Sequence, residues 1–390
     1  MTISFTPSAA VDRVARTSKR PAMGPAPAGA VSLAMGEPDF DTPAPIVHAA
    51  ETALRAGETH YADQNGLPRL REALAAKLSA QGVRDFGASE VLVSHGATAG
   101  LAAVITAAVG PGDRVVIPEP CYSLYADLVQ LAGGEPVLVP PASDMHWDLD
   151  KLRHALVGAK MIVFSNPCNP TGIVHTQNEL IALGEILKDT DTLVLSDEAY
   201  DVIVYEPTTF VSALAIESLR DRTIYCQTLS KTYAMTGWRI GYVAGPTDVI
   251  AAASRVHRTF NGSVNSSVQV AACAALETDQ RIVDDMVASY RDRRDLLLDR
   301  LAAIPQVTSY DVDGTFYSFV RYNADRPSEH VTAELREAGL IVRAGAEYGP
   351  SGEGHIRLSF AADSTSIGRA ADILQQYFAS VAPALESSPV

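Results

Sequence analysis

Short apolar runs alternate with amphipathic stretches between residues 90 and 245 of the chain. Seven of the runs predict strands, at residues 91–94, 114–117, 136–139, 161–165, 192–196, 223–228 and 240–244. The stretches between them predict helices, among them residues 98–109, 122–132 and 176–188. Apolar strands separated by helices indicate a mostly parallel sheet that is covered on both faces. Because ligands of such sheets bind at the carboxyl ends of the strands, we expect functional residues at the strand-to-helix junctions.

The pattern changes after residues 279–301, a long charged stretch that predicts a helix. Beyond it we predict strands and helices in mixed order, with strands at 314–322 and 355–360 and helices at 328–338 and 367–378. This mixture is typical of an α+β domain, so the C-terminal part differs from the part before it.

The chain has 390 residues, which suits two domains of roughly 100–200 residues each. The segment before Pro45 is rich in Pro and Gly, and we expect it to wrap onto the C-terminal part. We therefore predict an α/β protein with a large domain at residues 46–300. A smaller α+β domain would be formed by both ends of the chain, residues 1–45 and 301–390.

The charge balance limits the partners that the chain can have. It carries 31 Lys and Arg against 46 Asp and Glu, a net charge of −15. Nucleic acids and anionic membrane surfaces require basic faces, so neither is an expected partner. An anionic small molecule stays possible, because a few buried arginines can bind it whatever the net charge.

The cysteines indicate a reducing compartment. Cys121, Cys168, Cys226 and Cys273 are scattered, with no CxxC pair and no spacing suited to zinc. The amino terminus lacks the apolar stretch of a signal peptide, and residues 100–110, the longest apolar run, are too short to span a bilayer. We therefore expect a soluble cytoplasmic protein.

The stretch TLSKTYAMTGWRIG, from Thr228 to Gly241, combines a lysine with residues that bind phosphate. An isolated lysine in a loop is usually a solvated charge. Here the hydroxyls of Thr228 and Ser230 can hold a phosphate beside Lys231, together with the guanidinium group of Arg239, which can bind a phosphate through two N–H donors. A lysine beside a phosphate-bearing aldehyde forms a Schiff base, and the cofactor with those groups is pyridoxal phosphate.

Three further strand ends carry candidate residues. In LVLSDEAY, Asp197 can pair with the protonated pyridine nitrogen and Tyr200 can donate to the ring 3-oxygen; a helix cap with a packing tyrosine is the alternative. NPCNPTG is either a rigid turn or a means of presenting the Asn169 amide in one orientation. In SHGAT, residues 94–98, free N–H groups at the start of a helix would receive a phosphate.

These motifs, in this order, resemble the class I/II aminotransferases of the fold-type I pyridoxal-phosphate enzymes. The likeness covers nearly the whole chain, from GEPDF at residues 36–40 through NPxNPTG and DExY to HIRLS at residues 355–359. The family usually has Ser or Gly where Thr228 stands, but a hydroxyl is retained. The resemblance implies the fold-type I architecture, with a large domain around a mostly parallel sheet and a smaller α+β domain.

The resemblance also implies roles for individual residues. Lys231 would form the internal aldimine with pyridoxal 5'-phosphate and move the proton between the substrate α-carbon and the cofactor. Asp197 would hold the pyridine nitrogen, Tyr200 and Asn169 would contact the 3-oxygen, and Tyr122 would stack on the ring. The phosphate would be bound by Thr228, Ser230, Arg239 and the backbone of Ala97 and Thr98.

Substrate and subunit contacts follow from the same resemblance. Arg357 would clamp the substrate α-carboxylate, helped by Asn169 and the Gly36 backbone. Taken alone, Arg357 would be interpreted as a surface ion pair; its place in HIRLS favours the clamp. Tyr61 would reach the phosphate of the neighbouring subunit, so we expect a homodimer. No metal is expected.

We therefore predict a transaminase of amino acid metabolism that works by a ping-pong mechanism through Lys231. A β-lyase or another reaction at the α-carbon is an alternative, because the same residues would stabilise the same carbanion. A non-enzyme, a transcription regulator whose aminotransferase-like domain only senses the cofactor, is a more remote alternative. The segment before Val31 is too short for the DNA-binding module that such a regulator needs.

The motifs do not determine the substrate. A dicarboxylate needs a second cation, for which residues 255–258 and 16–20 are candidates, although solvated charge is the better interpretation of both. The segments PAPIVHAA, THYAD, KTYAMTGWR and GHIRL are similar to a bacterial arginine–pyruvate transaminase, but they flank cofactor residues. We predict a broad L-amino acid:2-oxo acid aminotransferase, with aspartate, arginine and aromatic donors all open.

Overall fold

The computed structural model describes residues 5–20, 26–81 and 84–381. Its strands are β1 Val31–Ser32, β2 Val91–Ser94, β3 Arg114–Pro118, β4 Glu135–Val139, β5 Met161–Ser165, β6 Leu193–Asp197, β7 Thr223–Thr228, β8 Gly241–Ala244, β9 Val307–Ser309, β10 Tyr317–Tyr322, β11 Leu340–Ile341, β12 Arg343–Ala344 and β13 His355–Ser359. Its α-helices are α1 Ala9–Thr17, α2 Ala44–Arg55, α3 Pro68–Ala80, α4 Gly96–Ala108, α5 Leu124–Ala132, α6 Leu149–Ala155, α7 Gln177–Leu187, α8 Glu217–Arg220, α9 Leu229–Thr232, α10 Thr247–Phe260, α11 Ser266–Leu276, α12 Gln280–Ala302, α13 Ser328–Glu337 and α14 Ser364–Ser380. Among the helices of these ranges, none has the length and apolar character needed to cross a membrane.

The large sheet has seven strands in the order β2-β8-β7-β6-β5-β3-β4. Its strands run parallel except β8, which is antiparallel to both β2 and β7. The connection from β7 to β8 contains α9, a helix of four residues, which is too short to carry the chain back across the sheet. The prediction of a mostly parallel sheet is confirmed, and the predicted strands at 161–165 and 223–228 coincide with β5 and β7.

Helices cover both faces of this sheet, because successive strand residues point to opposite sides. In β3, Val115 and Ile117 pack in a cluster that includes residues of α4, α5 and α10. Val116, between them, packs on the other face with residues of α6 and α7. Burial on both sides explains why the strand sequences are apolar throughout instead of alternating.

The C-terminal part forms a second, smaller sheet. Four antiparallel strands have the order β12-β13-β10-β9, and β1 pairs in parallel with β11 beside them. The hydrophobic cluster under these strands also contains residues of β2 and β7, so the two sheets share one continuous core. The carboxyl ends of β5, β6 and β7 and the start of α4 face the region between the sheets.

The segment before Pro45 contacts both sheets. Val31 pairs with Leu340 of β11, which belongs to the smaller part. Helix α1, in contrast, lies on α5, one of the helices that cover the large sheet. The hydroxyl of Ser18, which follows α1, lies 3.1 Å from a carboxylate oxygen of Asp127 in α5. Residues 46–300 remain our proposal for the extent of the larger domain, with both ends of the chain forming the smaller one.

Candidate active site

A cavity of about 560 Å³ opens at the carboxyl ends of the central strands. Of the residues singled out from the sequence, it is lined by Gly36, Ala97, Thr98, Tyr122, Asn169, Asp197, Tyr200, Thr228, Ser230, Lys231, Arg239 and Arg357. These residues are spread over more than 300 positions of the chain, and the fold brings them to one place. Tyr61 is the exception: its side chain is fully exposed and lies outside this cavity.

Lys231 reaches the cavity from the first turn after β7. The side chain of Thr228 caps α9 by accepting a hydrogen bond from the Ser230 N–H, which turns Lys231 away from the strand. Its ammonium group donates to the Gly36 carbonyl. Burial lowers the pKa of Lys231 to about 8, and the charges of Arg357 and Arg239 act in the same direction. An amine with this pKa can give up its proton near neutral pH.

The depressed pKa predicts that Lys231 destabilises the cofactor-free protein. Below about pH 8 the Lys231 amine is protonated in both the folded and the unfolded state, so the folded state must carry a buried ammonium group. Between about pH 8 and 10.5 only the unfolded chain keeps this proton. The free energy of unfolding therefore rises with pH in that window. We expect Lys231→Met to raise the unfolding free energy at pH 7 by about 2–3 kcal/mol, because each pKa unit corresponds to roughly 1.4 kcal/mol. This gain should disappear as the pH approaches 10.5.

Urea denaturation of the cofactor-free protein at several pH values measures this effect. Lys160→Met is the matched control, because the Lys160 side chain is exposed. A Lys231→Met variant that is no more stable than the wild type at pH 7 would contradict the prediction.

Asp197 ends β6 as a buried carboxyl group in the same cavity. One oxygen accepts from the Tyr125 hydroxyl at 2.8 Å and the other from the Ala199 N–H at 3.3 Å. Burial raises the pKa of Asp197 to about 6, and these hydrogen bonds oppose the rise. The carboxyl group therefore remains mainly ionised at pH 7, although it is held away from water.

Tyr200 follows Asp197 by three residues and is also buried. Its hydroxyl lies 2.8 Å from the hydroxyl of Tyr317, and burial, followed by the neighbouring Tyr317, raises the pKa of Tyr200. Both phenols therefore keep their protons at neutral pH. They can act as hydrogen-bond donors to an anionic oxygen in the cavity.

The start of α4 and the turn before β8 form an anion site. The first N–H groups of α4, at Gly96, Ala97 and Thr98, have no partner inside the helix and carry the positive end of its dipole. The hydroxyls of Thr228 and Ser230 lie 2.8 Å apart nearby. Arg239 also lines the cavity here. This set of a guanidinium, hydroxyls and free N–H groups suits a phosphate.

Gly96 leaves the space that Arg239 occupies. Its φ is +73°, a backbone conformation that residues other than glycine rarely adopt. A Cβ at this position would lie 2.7 Å from Nη2 of Arg239. We expect Gly96→Ala to displace the guanidinium and weaken binding of pyridoxal phosphate roughly 10–100-fold, the loss of one charge-assisted contact. Titration of the cofactor into the cofactor-free protein gives the affinity.

Gly262 provides the matched control for this variant. Its φ is +71°, but a Cβ there would meet nothing within 4 Å. Gly262→Ala should therefore carry a similar backbone strain, of about 1–2 kcal/mol, without affecting the cofactor. Equal affinities in the two variants would mean that Gly96 does not protect the position of Arg239.

Arg357 lines the cavity from the smaller sheet, where it stands in the middle of β13. It is buried, and it donates to the Asn169 side-chain oxygen at 2.9 Å and to the Ala34 carbonyl at 2.7 Å. Its guanidinium lies 4.1 Å from the centre of the Tyr317 ring. A buried arginine whose partners are uncharged keeps its full positive charge, so this end of the cavity suits a carboxylate.

Several cavity residues have no signal in the sequence. Those that our sequence analysis missed include Tyr125, Tyr317, Arg343, Glu347 and Tyr348. Arg20, which belongs to one of the two cation candidates, residues 16–20, also lines the cavity. Among the described side chains that line the cavity, five are Lys or Arg and three are Asp or Glu. The cavity is thus richer in cations than the chain as a whole, whose net charge is −15. This excess favours anionic ligands.

A second cluster of titratable residues lies outside the cavity, around Glu179. Its carboxylate accepts from the Thr176 N–H at 2.7 Å and lies 3.0 Å from Nδ1 of His146 and 3.4 Å from Nδ1 of His175. Glu179 and Thr176 form the capping box of α7. The carboxylate is thus already satisfied by protein donors, and the cluster has a structural explanation.

Comparison with known proteins places the chain among related enzymes. The sequence model of the family described as "Aminotransferase class I and II" matches residues 28–374. A probable aspartate aminotransferase of Methanocaldococcus jannaschii is 34% identical, with 89% of this chain and 93% of the relative covered. An aspartate aminotransferase of Geobacillus stearothermophilus is 33% identical, with 96% and 97% covered.

A solved structure shows the same likeness in three dimensions. The aromatic aminotransferase of Pyrococcus horikoshii superposes with a TM-score of 0.88 at 32% identity, covering 94% of this chain and 98% of that one. The likeness therefore includes both the large sheet and the smaller C-terminal part.

Proposed function

The chain belongs to the class I and II aminotransferase family, and on that premise we propose how its cavity transfers an amino group between an L-amino acid and a 2-oxo acid. The family implies pyridoxal 5'-phosphate as cofactor. The observation that carries the assignment of roles is the convergence of Lys231, Asp197 and the anion site on one cavity. An amine of low pKa, a buried carboxylate and a phosphate site are the three groups that this cofactor needs.

The residues present fit the cofactor. Arg239 and the hydroxyls of Thr228 and Ser230 would hold the phosphate, together with the N–H groups of Ala97 and Thr98. The Asp197 carboxylate would pair with the pyridine nitrogen. Tyr200 and Asn169 would contact the ring 3-oxygen, and Tyr122 the ring face. When bound, the cofactor supplies the electron sink that allows the α-hydrogen of an amino acid to leave as a proton.

Lys231 is the proposed catalytic base. The amine accepts a proton from the substrate α-carbon and returns it to a carbon of the cofactor. Its pKa, lowered to about 8, lies near the pH at which the protein works, which suits a group that must both take up and release a proton. The Gly36 carbonyl orients the amine group by accepting its hydrogen bond. Arg357 holds the α-carboxylate, which fixes the direction of the Cα–H bond relative to Lys231. A 2-oxo acid then uses the same residues in the reverse order, which gives ping-pong kinetics.

We propose a broad donor range that includes acidic and aromatic amino acids. The relatives with a named donor act on aspartate, and the superposed structure is an aromatic aminotransferase. The likeness to arginine–pyruvate transaminases rests on segments beside the cofactor residues and adds arginine to the donors that we would test. These names support the range and do not select one member of it.

We also propose a homodimer in the cytoplasm. Tyr61 is fully exposed, and Arg239 is exposed at the phosphate end of the cavity. A partner subunit that contributes its own Tyr61 would close that end. The four cysteines are free, as a reducing compartment requires. Sedimentation should give a dimer; a stable, fully active monomer would contradict the proposed role of Tyr61.

The absorbance spectrum of the purified protein tests the proposed function. Pyridoxal phosphate bound to Lys231 should give a visible band, and adding a donor amino acid should shift the band to the shorter wavelength of the pyridoxamine form. The donors that cause the shift define the range. A band that no amino acid shifts would favour a lyase or a sensor, and no band after adding cofactor would overturn the proposal.

A further inference from the structure

Two arginines face the cavity from neighbouring strands of the smaller sheet. Arg343 in β12 and Arg357 in β13 are direct partners in antiparallel register, and both line the cavity. Side chains in such a pair lie on the same face with Cβ atoms about 5 Å apart, and like charges there repel each other. We infer that the pair binds two carboxylates of one substrate, with Arg343 taking the second, so that the cavity prefers dicarboxylic amino acids and 2-oxo acids.

The two arginines differ in what holds them. Arg357 is fixed by the uncharged acceptors Asn169 and Ala34. Arg343 forms an ion pair through Nη2 with Glu347, four residues further along the chain. Glu347 is itself buried, and its other carboxylate oxygen has no hydrogen-bond partner in the described part of the chain. Glu347 therefore acts as a positioning residue that fixes one edge of the Arg343 guanidinium and leaves the others for a ligand.

Arg20 is the competing cation, because it also lines the cavity. Its side chain is exposed, and its guanidinium lies 5.6 Å from the centre of the Tyr122 ring, beside the proposed position of the cofactor ring. No ion pair joins Arg20 to another residue in the described ranges. An exposed cation binds weakly and with little selectivity, so Arg343 is the better placed of the two.

A basic substrate fits this arrangement poorly. Two carboxylates of the cavity could bind a basic side chain, but both already have partners in the protein. Glu347 forms an ion pair with Arg343, and Glu37 accepts a hydrogen bond from the Thr236 hydroxyl. The N–H groups of Arg343 that Glu347 leaves free can only donate, so they cannot bind a substrate guanidinium or ammonium group, which also offers only donors. The electrostatics of this end of the cavity therefore select anionic side chains.

The inference rests on the proposed function, and its test separates the two. Steady-state kinetics of the holoenzyme give kcat/KM for 2-oxoglutarate and for pyruvate as acceptors. In Arg343→Gln the ratio of these two values should fall roughly 10–100-fold, the loss of one charge-assisted contact. The change should lie mainly in KM for 2-oxoglutarate. Arg326→Gln is the matched control, because Arg326 pairs with Glu334 outside the cavity and its loss should leave the ratio unchanged.

Two further variants keep the test valid if Arg343→Gln is unstable. Removing Arg343 alone leaves Glu347 buried without its partner, so the double variant R343Q/E347Q removes both charges and should show the same lowered ratio. Arg343→Lys keeps the charge without the planar fork and should recover part of the ratio.

The outcomes have separate meanings. An unchanged ratio in both Arg343→Gln and R343Q/E347Q, with pyruvate still accepted, would overturn the assignment of Arg343 and leave the proposed function intact. A fall in arginine turnover in Glu347→Gln, with the ratio unchanged in Arg343→Gln, would assign the site to basic substrates and overturn the inference. Failure of every amino acid to transfer its amino group in the wild type would instead refute the proposed function.

Discussion

Replacing Lys231 by alanine is expected to abolish transamination while the protein remains folded. The side chain provides both the amine that attaches the cofactor and the base that moves the α-proton, so the rate should fall roughly 10⁴-fold or more. Folding should be preserved, because a lysine with a pKa lowered to about 8 by burial contributes no favourable burial energy to the core.

Single-turnover absorbance measurements with added pyridoxal phosphate would show the loss. The variant should still bind the cofactor at the anion site, but without the visible band that the link to Lys231 produces. Lys160→Ala, at an exposed position, is the control and should behave as the wild type. Turnover of Lys231→Ala at a rate close to that of the wild type would refute the assignment of Lys231.

Replacing Asp197 by asparagine should reduce transamination by roughly 10³-fold, the scale on which a charge directed at the reacting group acts. The amide is nearly isosteric, and its oxygen can still accept from Tyr125, so the fold should be retained. What is lost is the negative charge that keeps the pyridine nitrogen protonated. Because burial raises the pKa of Asp197 to about 6, the variant should also be at least as stable as the wild type above that pH.

Rapid-reaction absorbance of the half-reaction measures the effect, with thermal unfolding as the check on stability. Asp201→Asn is the control: its carboxylate accepts from the Tyr225 hydroxyl at 3.2 Å and does not line the cavity. A half-reaction rate within a few fold of the wild type in Asp197→Asn would contradict the proposed pairing with the pyridine nitrogen.

The large sheet could be predicted because its signal is local. Strands β5 and β7 are apolar throughout and buried on both faces, so their bounds coincide with the predicted runs. Helices α10 and α11 were not predicted, although their patterns are as local as those of α4 and α5. The short strands had no signal to find, because two residues, as in β12, show no periodicity.

The motif residues were also identifiable from sequence alone. Lys231, Asp197 and Asn169 each lie in a short segment whose neighbours restrict its chemistry, and the strand-to-helix pattern indicated that these segments meet at one edge of the sheet. Their common cavity agrees with that expectation. The roles that we assign to them remain proposals, which the variants above test.

Only the tertiary structure decided the contacts between these segments. Two of these contacts join residues that are far apart in the chain: the Tyr125 hydroxyl donates to Asp197, and Lys231 donates to the Gly36 carbonyl. The third, Arg343 beside Arg357, depends on the register between two strands. Such contacts depend on register, packing and loop closure, which no local pattern of residue types specifies. The sequence thus determined the fold class and the reaction chemistry of this protein, whereas the tertiary structure decided the environment of its charges, on which the choice of substrate depends.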